Sequence, residues 1–122
     1  MSERIFHLTR ADDWKAAEEL GIYKPASYEV DRFIHCSRAS QLLRVAYQFF
    51  AHQQRLVVLT IDPGRLTAPL RWEQGVDKPD ELFPHLYGAL NLDAVIGVWE
   101  LDNLEDGSFQ IPKGRIDEMQ AL

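Results

Sequence analysis

The stretch Arg55 to Ile61, with Leu-Val-Val-Leu at its centre, is a near-continuous apolar run and the strongest strand signal in the chain. Such a run has no polar face to offer water, so this strand should be central and buried on both sides. Asp62-Pro63-Gly64 follows it and supplies a stop. The chain has 122 residues, which suits one domain spanning 1–122. No apolar run approaches the roughly 20 residues of a membrane span. Met1-Ser2-Glu3-Arg4 leads into a strand pattern without a signal-peptide core. The single cysteine, Cys36, leaves no internal disulfide and suits a reducing, cytoplasmic setting.

The elements around that run give an α+β order. Residues 4–8 read as a short strand. Thr9 then reads as the N-cap of a helix, with Asp12 reaching back, an apolar stripe of Ala11, Trp14, Ala17 and Leu20, and Gly21 as the stop. Residues 22–31 contain Pro25 and read as loop or a single turn. Phe33 to Cys36 is a second short strand. Ser37 caps a second helix over 38–51, with Leu42, Val45, Ala46, Phe49 and Phe50 on one face. Leu70 to Glu73 forms another strand, and 74–82 reads as a mobile surface loop. In Phe83-Pro84-His85-Leu86-Tyr87-Gly88, the proline and glycine argue for an irregular segment. Ala94 to Leu101 is a late strand, Asp106-Gly107 is a turn before Phe109 to Ile111, and the last residues form a tail.

Strand alternation selects the candidate site. On the first strand Ile5, His7 and Thr9 share a face; on the second, Phe33, His35 and Ser37 do. If these strands are neighbours, His7, Thr9, His35 and Ser37 converge into a ligand-binding patch. Capping alone would also account for Thr9 and Ser37. Arg71 and Glu73 alternate on one face of their strand, as they would on a solvated edge. His85 and Tyr87 are polar-tipped groups in a segment that equally fits an aromatic loop packed on the core. His52 follows a glutamine-rich helix face and reads as solvent-exposed. Cys36 shares the face of Ile34 and reads as a buried, inert thiol. The histidines lack the short spacing of a zinc site, so no metal is expected. The net charge of −6 argues against extended nucleic-acid binding, though not against a small anionic ligand.

Ile5-Phe6-His7-Leu8-Thr9, Phe33-Ile34-His35-Cys36-Ser37, Pro69-Leu70-Arg71-Trp72-Glu73, Phe83-Pro84-His85-Leu86-Tyr87-Gly88 and Leu90-Asn91-Leu92-Asp93-Ala94-Val95 together resemble the domain-of-unknown-function family 952. The resemblance covers about residues 4–100, leaving 101–122 as an extension. Arg32 departs from it, since glycine is expected before Phe33. The family is similar in fold to the ADP-ribosyltransferase group, which includes RNA 2′-phosphotransferases. The resemblance therefore implies an ADP-ribosyltransferase-like mixed β-sheet core with two main N-terminal helices. It implies a nucleotide or small-molecule partner and NAD as cofactor. His7 and Thr9 match residues that contact the adenosine-side ribose, and His35 and Ser37 match a second His-x-Ser. The expected ligand-binding residues are thus His7, Thr9, Ser37, Arg71, His85 and Tyr87. His35 and a late glutamate, Glu73 or else Glu100, are the expected catalytic groups. The function implied is NAD- or nucleotide-dependent transfer. A non-catalytic binding module and, less favoured, a metal-dependent hydrolase are the alternatives.

Overall fold

A computed structural model of the chain describes residues 3–51, 53–75, 78–104, 106 and 109–112. His52, Gly107 and the C-terminal tail lie outside them, and so do the expectations attached to them. The elements run β1 (Ile5–Arg10), α1 (Ala11–Leu20), β2 (Ile22–Tyr23), α2 (Tyr28–Asp31), β3 (Ile34–His35), α3 (Leu42–Phe50), β4 (Leu56–Ile61), β5 (Leu70–Gln74), β6 (Leu82–Leu86), β7 (Leu90–Asn91), β8 (Val95–Glu100), β9 (Asp102–Asn103) and β10 (Phe109–Gln110). The fold is α+β, and its strand pairs are antiparallel.

The apolar run is the middle strand. β4 pairs with β1 on one edge and β8 on the other. All six of its residues are buried. Val57, Leu59 and Ile61 point into one core with Ile5, Trp14, Tyr23, Ile34, Cys36 and Leu86. Leu56 and Val58 point into a second core with Phe6, Leu8, Leu42, Ala46 and Trp99. Period-two alternation in β1 and β4 thus divides the apolar side chains between two layers. α1 covers one face of the sheet and α3 the other.

A second sheet, in the order β3-β6-β5, lies on the α1 side and shares its core through Ile34 and Leu86. Just beyond β3, a backbone bridge ties it to the first sheet. Phe6 and Ser37 exchange backbone hydrogen bonds of 2.8 Å and 2.7 Å. The strands carrying His7 and His35 are therefore neighbours.

Several local expectations give way to tertiary packing. Thr9 does not cap α1. β1 continues to Arg10, which occupies the N-cap position without a side-chain bond, while Thr9 is buried and partnered by Tyr23. Asp12 makes no capping bond. Gly21 does end α1, in the left-handed region at φ 87°. Leu20, the last residue of α1, is 75% exposed and not part of the buried stripe, because a three-residue spacing drifts around a 3.6-residue helix away from Trp14 and Ala17. Ser37 does not cap the second helix either. Its backbone is taken by the bridge to Phe6, a 3-10 turn spans Ala39–Gln41, and α3 begins only at Leu42. On α3 Leu42 and Ala46 are buried, but Phe49 is 56% exposed. Residues 22–31 hold the expected single turn, as α2, and add the two-residue strand β2.

The segment around His85 is a strand, not an irregular loop. β6 pairs with β5 over five residues, from Leu70↔Leu86 to Gln74↔Leu82. Pro84 is tolerated because Cys36 N–H donates to its carbonyl, so the residue contributes the acceptor it retains. The strand ends there: at Gly88 a Cβ would stand 2.6 Å from that of Ala68. The expected 74–82 loop shrinks accordingly, with Gln74 in β5, Leu82 in β6 and Gly75 N–H bonded to the Glu81 carbonyl.

Two outcomes follow from this packing. Burial pushes the Cys36 thiol up to about 12, and the side chain is 3% exposed. Native protein should react with a thiol reagent only as fast as it opens, and labelling within seconds would contradict the packing. Arg32 ends α2 in the left-handed region at φ 67°, which costs a residue with a Cβ about 1–2 kcal/mol. Arg32→Gly should therefore raise unfolding stability by about 0.5–1 kcal/mol after glycine's own entropic cost, read by urea titration. No gain would mean that the Arg32 side chain offsets the strain.

Candidate functional site

The second sheet brings polar residues from distant parts of the chain onto one face. Register sets His35 opposite His85, and His85 opposite Arg71. Period two adds Glu73 to Arg71 on β5. Tyr87 follows β6, held by its N–H bond to the Pro69 carbonyl. The opposite parity, Ile34 and Leu86 with Leu70 packed against them, enters the core.

Glu73 organises this cluster. Its Oε1 accepts from His85 Nδ1 at 2.9 Å and from the Tyr87 hydroxyl at 2.6 Å. Those bonds, Tyr87's first and His85's next, hold the Glu73 carboxyl below its ordinary value, so it is ionised at neutral pH. The same contact raises the Tyr87 phenol. Burial lowers the His85 imidazole, against the Glu73 bond that raises it. The Arg71 guanidinium lies 5.0 Å from the Tyr87 ring centre, a cation–π distance.

His35 has a carboxylate of its own. Its Nε2 lies 2.9 Å from Asp31 Oδ2, one helical turn earlier on α2. The His35 side chain is about half exposed. Phe33 stacks on His85 at 4.0 Å and 19°, and the His35 ring stands edge-on to His85 at 5.5 Å. Asp31 and Phe33 were not singled out from the sequence as site residues. The spacing Asp31 to His35 was a legible pair, but only a helix-to-strand turn at Arg32 lets it close.

His7 belongs to a different environment. Its ring is 8% exposed and meets His35 through the backbone, with Nδ1 2.6 Å from the His35 carbonyl. A carbonyl only accepts, so Nδ1 carries the proton. Burial lowers His7 to about 4, leaving it neutral. Nε2 then accepts from the Tyr23 hydroxyl at 2.8 Å. Tyr23 has only that one proton, so the Thr9 hydroxyl, 3.1 Å away, donates to it. Thr9, Tyr23 and His7 form one buried chain ending on the His35 backbone. The expected convergence of His7, Thr9, His35 and Ser37 side chains is thus not what joins the two strands. The His35 ring contacts Asp31, Phe33 and His85, and Ser37 is buried beside Phe6 at the bridge. Glu100, the other candidate glutamate, is exposed on β8 opposite Val57 in the first sheet. Among the described residues no three of His, Cys, Asp and Glu are placed to hold one metal ion.

The His7 chain has a pH signature. The unfolded chain binds a proton near 6.5, but the folded one only near 4. Between those values the unfolded state holds more protons, so stability falls as pH falls through this window and levels off below it. That difference corresponds to about 3 kcal/mol. Urea unfolding from neutral pH to about 4 should show this loss, and His7→Gln should flatten it. An equal slope in the variant would place the proton uptake elsewhere.

The geometry can be set beside that of known proteins. The family model described as "Protein of unknown function (DUF952)" matches residues 8–98. The crystal structure of protein CC0527 from Caulobacter crescentus has 31% sequence identity and a TM-score of 0.82, covering 98% of this chain and 99% of that one. The solution NMR structure of the same bacterial protein matches at 31% identity and a TM-score of 0.76, over 88% of this chain and 91% of that one. None of the curated proteins matches the chain. With the family model spanning most of its length and a solved relative covered almost end to end, the chain belongs to the DUF952 family of proteins of unknown function.

Proposed function

We propose that this chain binds a nucleotide of the NAD or ADP-ribose type on the β3-β6-β5 face, as an ADP-ribosyltransferase- or phosphotransferase-like protein. One observation carries the reading: the ionised Glu73 carboxylate stands among Arg71, His85, Tyr87 and His35 on a face that is only partly covered. Each group matches a part of such a ligand. Arg71 offers a guanidinium to a phosphate, where two parallel hydrogen bonds are available. The free Glu73 oxygen can accept from a ribose hydroxyl. Phe33 and Tyr87 give ring faces to a base or a nicotinamide. If the nicotinamide–ribose bond breaks here, positive charge grows on the ribose, and a fixed carboxylate nearby stabilises it. His7, Thr9 and Ser37 support the strands beneath this face.

A binding module without catalysis is the second reading, because every group named here would also serve recognition alone. The metal-dependent hydrolase finds no ligand set among the described residues.

Calorimetric titration with ADP-ribose and NAD tests the reading. Arg71→Ala should weaken binding tenfold to a hundredfold, the loss of a charge-assisted hydrogen bond of about 1.5–3 kcal/mol. Its urea midpoint should barely move, since Arg71 is exposed. If neither ligand binds the wild-type chain, this function is wrong.

A further inference from the structure

His85 is the most enclosed member of the cluster, 4% exposed, yet only one of its ring nitrogens is bonded. Nδ1 faces the ionised Glu73, which can only accept, so Nδ1 carries the proton. A neutral imidazole has a single N–H, which leaves a lone pair on Nε2. Among the described residues nothing bonds to Nε2, and no enclosed side-chain nitrogen or oxygen lacks a partner. Nε2 is therefore not fully enclosed and keeps an accessible edge. The ring cannot turn freely to lose this direction. Phe33 lies flat against it at 4.0 Å, His35 stands edge-on at 5.5 Å, and Glu73 holds the far nitrogen.

The geometry points to His85 as the proton acceptor of this site: Nε2 removes the proton of a hydroxyl or water whose oxygen attacks the electrophilic centre of a nucleotide held on the same face. This rests on the nucleotide-binding reading above. In the step, the O–H bond breaks and the proton moves to Nε2. The oxygen forms its bond to the electrophile, and the leaving group departs with its bonding pair, taking a proton from solvent where it needs one. The new imidazolium remains paired with Glu73 Oε1, which also orients the ring through Nδ1. The groups around the ring are His35 with Asp31 behind it on the α2–β3 side, Glu73 and Arg71 on β5, and Tyr87 after β6. Burial and the neighbouring His35 keep His85 neutral at neutral pH, as a base requires.

The test uses the whole chain with two probes, NAD followed by nicotinamide release and 2′,3′-cyclic AMP followed by ring opening. Rates are taken from about pH 5 to 8, with ADP-ribose affinity measured alongside and nitrogen-15 spectra reporting the His85 nitrogens. We expect turnover of at least one probe, with a rate that falls with acid along the titration of His85 Nε2 itself. His85→Gln should lower turnover by about 10²–10⁴-fold, far beyond any loss of ADP-ribose affinity. Glu73→Gln should move the acid limb to lower pH, because it removes the charge that raises His85. If ADP-ribose binds and neither probe turns over, or His85→Gln remains as active as wild type, the base is wrong and the binding face stands. An acid limb that does not follow His85 also overturns the base. Absence of both binding and turnover overturns both.

Discussion

A strand that is apolar on both faces sets the terms for everything else in this chain. All six β4 side chains are buried and five are apolar, with the Thr60 hydroxyl taken by the Trp99 indole N–H, so each face must be covered and each edge paired. β1 and β8 pair its edges, and the two cores close its faces. The second sheet is part of that cover. Ile34 and Leu86 enter the core that β4 requires, and strand alternation then turns their neighbours His35 and His85 outward. The candidate site is the outer side of a layer whose inner side is needed for stability.

The junction between the two sheets is held by polar contacts and not by apolar area alone. The bridge at Phe6 and Ser37 fixes the backbones, and the His7 ring ties β1 to the His35 carbonyl. His7 stays neutral in this position because a charged imidazole would lose its hydration without an anion to replace it. Tyr23 and Thr9 complete its bonds, so the buried chain leaves no unpaired group. His7 thus acts on the site through the backbone that carries His35. In the outer cluster each histidine is instead set by a carboxylate, His35 by Asp31 and His85 by Glu73. Two histidines with the same sequence context, His-x-hydroxyl, therefore do different work because one faces the core and the other faces water.

Much of the site was legible as parity. Arg71 with Glu73, and His35 two residues after Phe33, follow from the two-residue period alone. The partners were not. Glu73 reaches His85 and Tyr87 through the register of β5 on β6, and the proline in β6 hid that strand. Thr9 and Ser37 each stand before a helical pattern, which makes them look like caps as well as members of a ligand patch. Both are strand or bridge residues, since a sheet hydrogen bond and a buried hydroxyl partner outweigh a solvent-exposed cap.

The sequence by itself determined the α+β class, the central place of β4, the burial of Cys36, the end of α1 at Gly21 and the likeness to the DUF952 family. Each of these is written locally, in hydrophobic period, in a residue's own conformational range, or in motifs. Tertiary structure decided which histidine is buried, which carboxylate orients which imidazole, and which glutamate stands in the cluster. Those choices depend on strand order and register between segments tens of residues apart, with Asp31, His35, Glu73 and His85 meeting across α2, β3, β5 and β6. Long-range pairing is set by how the whole core closes over β4, and no local pattern carries that information.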